Sequence, residues 1–268
     1  MMRMSSRPRR EIPSMPSIRR LALVLLLLAG LLVPQAALGA GPAAQPIADG
    51  TTAPLTTAAF PPLPECRYVD VATRFGAYRN WRKTLVDTNL MVGKGYRPPD
   101  LVSVSQAGIG GSGMVRALVI DDLRAMAAAA RKAGAGIAVR SAFRSYTEQI
   151  SVFNGWVAQQ GYQMALLYSA RAGHSEHQLG TTIDFRSSAS TLPPWGYSDW
   201  GTTKSGSWMA SNAWKYGWVM SYPNGKRGQV CYGYEPWHWR YVGRPLAKEI
   251  HDSGLTVRKF LWRRFESR

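Results

Sequence analysis

The chain has 268 residues, 46% hydrophobic and 11% aromatic, with 33 Lys+Arg against 16 Asp+Glu and a formal net charge of +17. That composition belongs to a globular chain of one or two domains and excludes a disordered one. Two cysteines exclude a thiolate zinc ribbon or an iron-sulfur cluster, each of which needs about four, so any metal must rest on the four histidines and on carboxylates.

Residues 1–20 carry six arginines and one glutamate, residues 21–33 are apolar, and Ala37-Leu38-Gly39 sets small residues two apart. A cationic start, a short apolar run and a small-x-small exit describe a secretory signal peptide over residues 1–40. The apolar run of 13 falls short of the roughly 20 residues that span a bilayer, so no stable membrane span is expected after cleavage. Without residues 1–40 the balance is 27 basic minus 15 acidic, +12, an excess suited to an anionic cell-wall polymer or simply to a solvated surface. No run of five like charges favours a nucleic-acid arm, and nucleic acid is not an expected partner. Residues 41–65, rich in Pro, Thr and Ala without apolar periodicity, read as a linker, and residues 66–268 as one domain.

Within that domain, residues 115–132 (VRALVIDDLRAMAAAARK) have helical apolar spacing and run up to Gly134. A short strand is expected at 137–139, a helix at 145–160 with Ser145 or Thr147 as N-cap, and more helix at 164–170. β-Branched and aromatic residues mark strands at 181–185 and 237–242, and helices are expected at 207–216 and 245–252. Helices and short strands interleave without parallel-type repeats, which makes the class α+β. Cys66 and Cys231 stand 165 positions apart. In an oxidising compartment they are expected to bridge, two separate buried thiols being the alternative.

Two stretches, GHSEHQLGTTIDF (173–185) and YEPWHWRYVG (234–243), hold three of the four histidines. His177 and Asp184 are separated by Gly180, which lets the chain reverse so that both side chains can meet one ion, and His238 offers a third donor from a distant strand. Two imidazoles and a carboxylate leave one tetrahedral position open, the arrangement of a catalytic zinc site. Glu235, three residues before His238, suits a general base, provided that Pro236 bends the chain so that both side chains face one way. Trp237 and Trp239 could dry the site or belong to the core. His174 could compete for the metal but reads as an exposed rim residue, and His251 as a cation at a helix C-terminus. In the third stretch, VRSAFRSYTEQISVF (139–153), Arg140 and Arg144 flank a strand-to-helix turn, and an arginine fork suits a carboxylate or a developing oxyanion.

Together SAFRSYTEQ, SEHQLGTTID and EPWHWRYVG resemble the Ser-x-x-Arg-Ser…Gln, Ser-x-His-(x)6-Asp and Glu-Pro-Trp-His elements of the VanY-type D-alanyl-D-alanine carboxypeptidases. These are zinc peptidases that trim peptidoglycan stem peptides, and the resemblance covers residues 66–243. It implies a small α+β domain whose antiparallel sheet is flanked by helices, as in the Hedgehog signalling domain. It implies one zinc ion on His177, Asp184 and His238, with Glu235 as general base and Arg144 facing the scissile carbonyl or the terminal carboxylate. Gln149 and Ser175 resemble substrate-contacting positions. The expected activity is secreted, wall-associated D,D-carboxypeptidase action. An L,D-carboxypeptidase, a D,D-dipeptidase and a non-catalytic wall-binding module are the alternatives.

Overall fold

The computed structural model describes residues 60–267, so the signal segment 1–40 and most of the linker lie outside the described residues. In chain order the elements are β1 (Val71–Ala72), β2 (Leu90–Met91), β3 (Leu101–Ser103), β4 (Met114–Arg116), α1 (Ile120–Lys132), β5 (Ile137–Ser141), α2 (Tyr146–Gln160) and α3 (Tyr162–Tyr168). There follow β6 (Thr182–Ser187), α4 (Lys204–Asn212), β7 (Trp218–Met220), α5 (Arg227–Val230), β8 (His238–Tyr241), α6 (Arg244–Ser253) and α7 (Val257–Leu261).

Alternation along the strands organises the molecule. In β6 and β8, Ile183, Phe185, Trp239 and Tyr241 turn to one face and are buried, while Asp184, His238 and Arg240 take the other. The apolar face packs on Leu123, Met126, Ala127 and Ala130 of α1, the stripe that its helical period builds. Each large side chain so buried contributes about 1.5–3 kcal/mol. The central sheet is wholly antiparallel in the order β5-β6-β8-β7, as an α+β class requires. Two smaller pairs, β1 with β2 and β3 with β4, flank it.

Helix α1 begins at Ile120, later than residue 115, because Met114–Arg116 pairs with Leu101–Ser103 and Arg116 donates its backbone N–H to Gly180. Helix α2 is closed by a capping box in which Ser145 and Glu148 satisfy each other's backbone N–H groups, which selects Ser145 over Thr147 as the cap. The helix expected at 164–170 lies at 162–168, and α4 starts at Lys204, capped by the Thr203 hydroxyl. The chain does not close on α6: α7 follows and packs Val257, Phe260 and Leu261 against Leu246, Ile250 and Leu85. Arg258 of α7 is buried on Asp87 and donates to Pro64, while Trp262 donates to Pro61. The buried Arg258 needs acceptors, and with the more exposed Trp262 bond it fastens residues 61–65, read as linker, to the domain. Cys66 and Cys231 form a disulfide. No helix among the described residues is long and apolar enough to cross a membrane.

Candidate metal centre

Register brings the donors together. Asp184 in β6 is the cross-strand partner of His238 in β8, so their side chains leave neighbouring positions on the same face. His177 arrives from the other side on a single 3-10 turn, Glu176–Leu179, which ends at Gly180 in the left-handed region at φ 70°. That reversal feeds the chain directly into β6. Among the described residues, these three alone form a His/Cys/Asp/Glu group able to hold a metal, with donor atoms within 4.8 Å of one another.

The tautomers follow from the hydrogen bonds. His177 Nδ1 lies 2.6 Å from the carbonyl oxygen of Ala142, which can only accept, so Nδ1 carries the proton and Nε2 is a bare lone pair. His238 donates Nε2–H to Glu176 Oε2 at 3.0 Å and turns Nδ1 inward; burial would lower its pKa, but the hydrogen bonds to Asp184 and Glu176 raise it to about 10, so a cation bound at Nδ1 would displace a proton. The inward nitrogens stand 3.2 Å and 3.1 Å from the two oxygens of Asp184. Burial, with the Arg144 charge, lowers the His177 pKa to about 4, so its ring is neutral and presents an acceptor to an acceptor. Neither His177 Nε2 nor Asp184 Oδ1 has a hydrogen-bond partner, although both are buried. Two donors about 2.0–2.1 Å from a tetrahedral zinc would be about 3.3 Å apart, so the residues present fit that cation.

Glu176 was not anticipated. It is buried, accepts from Ser221 at 2.5 Å and from Arg240 at 3.0 Å, and orients His238. Burial would raise its pKa, but the His238 hydrogen bond and the Arg240 charge hold it down to about 2. The sequence held a signal for it: Arg240 sits two residues after His238, hence on the same strand face, and a buried cation there needs an acid.

Glu235 lies beside the cluster, its Oε2 3.6 Å from His238 Nδ1. The required bend exists, because His238 N–H donates to Glu235 C=O across a turn that precedes β8. Burial raises the Glu235 carboxyl to about 7. Arg144 is held by Gln149 at 2.9 Å and Ser141 at 2.6 Å, with one guanidinium nitrogen 3.7 Å from Asp184. Gln149 departs from its expected place: it is fully buried and its amide is spent on Arg144 and on Ala170 C=O, so it reaches no open surface. Ser175 lines the cleft, and its hydroxyl does not cap the turn it precedes.

His174 is no rim residue. It is 1% exposed and bonded to Asp87 C=O and Asp70, tying down the segment before β1. His251 does lie in the last turn of α6, stacked on Trp214. Trp239 belongs to the core, whereas Trp237 lines the cleft. The cleft encloses about 880 Å³, and Trp156, Met164 and Tyr168 from α2 and α3 line it together with His177, Asp184 and His238.

A family model described as VanY, D-alanyl-D-alanine carboxypeptidase, matches residues 113–244, which contain His177, Asp184, His238, Glu176, Glu235 and Arg144. A solved L,D-carboxypeptidase, LdcB, is 32% identical with a TM-score of 0.59, covering 68% of this chain and 87% of its own. The chain belongs to the VanY carboxypeptidase family. A vancomycin-resistance D,D-pentapeptidase VanY, solved with Zn(II), is 25% identical with a TM-score of 0.58 and covers 68% of this chain and 99% of its own. Both likenesses agree with the α+β zinc-peptidase fold. YodJ of Bacillus subtilis (strain 168), a carboxypeptidase by inference, is 38% identical over 146 residues, 54% of this chain and 53% of YodJ. The chain spans about half the length, or less, of the first curated VanY-family relatives it matches.

Proposed function

We propose that the protein is a zinc-dependent carboxypeptidase that hydrolyses the bond before the C-terminal D-alanine of D-alanyl-D-alanine stem peptides of peptidoglycan. The observation that carries this reading is the buried His177, Asp184 and His238 cluster lining the cleft, in which His177 Nε2 and Asp184 Oδ1 lack a hydrogen-bond partner, with Glu235 at its edge. His177, Asp184 and His238 would hold one zinc ion, whose Lewis acidity would lower the pKa of water toward neutrality and favour negative charge on the substrate carbonyl oxygen. Glu235 takes the proton of the attacking water on its carboxylate and returns it to the departing amine nitrogen; a pKa near 7 suits both transfers. Arg144 donates to the carbonyl oxygen as negative charge builds, or holds the terminal carboxylate, and Gln149 and Ser141 keep its fork aimed. Gln149 is thus a positioning residue, and Ser175 remains available to substrate.

A second reading, L,D-carboxypeptidase action, draws support from the 32% identity to LdcB against 25% to the D,D-pentapeptidase. Incubating the zinc-loaded protein with tripeptide, tetrapeptide and pentapeptide stems and weighing the products separates them. Loss of one alanine from the pentapeptide supports the D,D reading, loss confined to the tetrapeptide the L,D reading, and release of a dipeptide a D,D-dipeptidase. No release from any stem overturns the enzyme and leaves a wall-binding module. This reading puts the protein outside the cytoplasm, supported by the signal-like residues 1–40 and by a disulfide that needs an oxidising compartment. The +12 charge of residues 41–268 supports attachment to anionic wall polymer, which high salt should weaken.

A further inference from the structure

Arg140 lines the same cleft, and the reaction above does not use it. Across β5 and β6, Val139 pairs with Phe185 and Ser141 pairs with Asp184, so two steps on β5 answer one on β6 and Arg140 is the extra residue of a bulge. Bulges break strict alternation and re-aim a side chain, often beside an active site. Here Val139 stays in the core at 2% exposure while Arg140 is exposed on the cleft.

The guanidinium lies over the ring of Trp195 at 5.2 Å, and Trp195 meets Trp237, also a cleft residue, edge-on at 6.0 Å. Several arginines of the domain hold an acid: Arg116 holds Asp100, Arg171 holds Asp70, Arg240 holds Glu176 and Arg258 holds Asp87. Arg82 and Arg97 lie over an aromatic ring as Arg140 does, but neither lines the cleft. Arg140 has no hydrogen bond or ion pair among the described residues, only its indole. Contact with the indole restrains the side chain and leaves its donors free. An arginine in that state has given up part of its rotamer freedom before binding, and its geometry matches a carboxylate bidentately.

We propose that Arg140, held by Trp195, recognises a second carboxylate of the substrate, on a residue amino-terminal to the scissile bond, so that the preferred substrate is an acidic peptide. The proposal rests on the peptidase reading and narrows its substrate class. Arg144, 3.7 Å from Asp184, already supplies the cation next to the reacting bond, where the terminal carboxylate of a carboxypeptidase substrate must also lie. Arg140 leaves the strand four residues earlier and reaches a rim where Trp195 is 41% exposed, the place for a group further along the bound chain.

The test uses two synthetic peptides of equal length that both end in D-Ala-D-Ala, one with a free carboxylate and one with a carboxamide on the side chain of the residue that precedes this dipeptide. The zinc-loaded wild type should favour the acid by about tenfold in kcat/KM, the scale of a hydrogen bond to a charged group. In Arg140→Gln the ratio should fall to about one, through the acid peptide. Arg140→Lys, which keeps charge without the fork, should restore part of it, and Trp195→Ala should lose part of it. An unchanged ratio in Arg140→Gln, or a wild-type ratio of one, overturns the proposal. Equilibrium binding of both peptides to zinc-loaded Glu235→Gln, with and without Arg140→Gln, repeats the comparison without turnover. Preference for the acid there, with no hydrolysis by wild type, would sink the peptidase reading but keep Arg140 as the carboxylate reader; equal binding would sink Arg140. Unchanged melting of Arg140→Gln confirms an intact fold, as expected for an exposed position.

Discussion

His177 and His238 turn opposite ring nitrogens to the same point, because a backbone carbonyl fixes one ring and a carboxylate the other. The motif names both histidines, but the partner that sets the tautomer of His238 is Glu176, a residue that the motif leaves open. Outer partners of this kind tune a metal site by about 10–100-fold in affinity. Glu176→Gln should therefore weaken zinc by that factor in a chelator competition, and it should also cost about 3 kcal/mol in denaturant unfolding because Arg240 is left as an unpaired buried charge. Zinc affinity and stability both unchanged would remove Glu176 from the site. Glu235 carries a different burden. Glu235→Gln keeps shape but loses the proton acceptor, so kcat should drop by about two to four orders of magnitude while zinc analysis still finds one ion per chain.

At the scale of elements, the 3-10 turn carrying His177 and the strand carrying Asp184 are joined through Gly180, whose φ of 70° suits a residue without Cβ. A methyl there would also meet Leu101 at 3.0 Å and Arg116 at 3.1 Å. Gly180→Ala should cost about 1–2 kcal/mol. At roughly 2–4 °C per kcal/mol for a domain of this size, calorimetry should find the melting point lowered by about 2–8 °C. The turn and the strand were both legible, one from its glycine and the other from its β-branched run. The bulge in β5 was not, because a bulge is defined by the partner strand, and β6 lies some forty residues further along the chain.

For the whole molecule, the disulfide joins Cys66, ahead of the first strand, to Cys231, just before β8, across 165 positions. Closing so long a loop gives up to about 4–5 kcal/mol in the chain-entropy treatment. The Cys66→Ser/Cys231→Ser double variant should melt roughly 10 °C lower while keeping its turnover at low temperature; an unchanged melting point would mean that the hydrogen bonds of residues 61–65 and α7 hold that end alone. The sequence by itself determined the donor chemistry, two imidazoles with Asp184 and a nearby Glu235, together with the amphipathic stripe of α1 and the strands that carry the donors. Those features rest on residue type and short-range period, which are local. Only the tertiary structure decided that Asp184 faces His238, that His174 is a buried tie, that Gln149 holds Arg144, and that Arg140 stands free on an indole. Each of those depends on which distant polar group a buried or bulged residue meets, and that is set by strand register and helix packing across the whole chain.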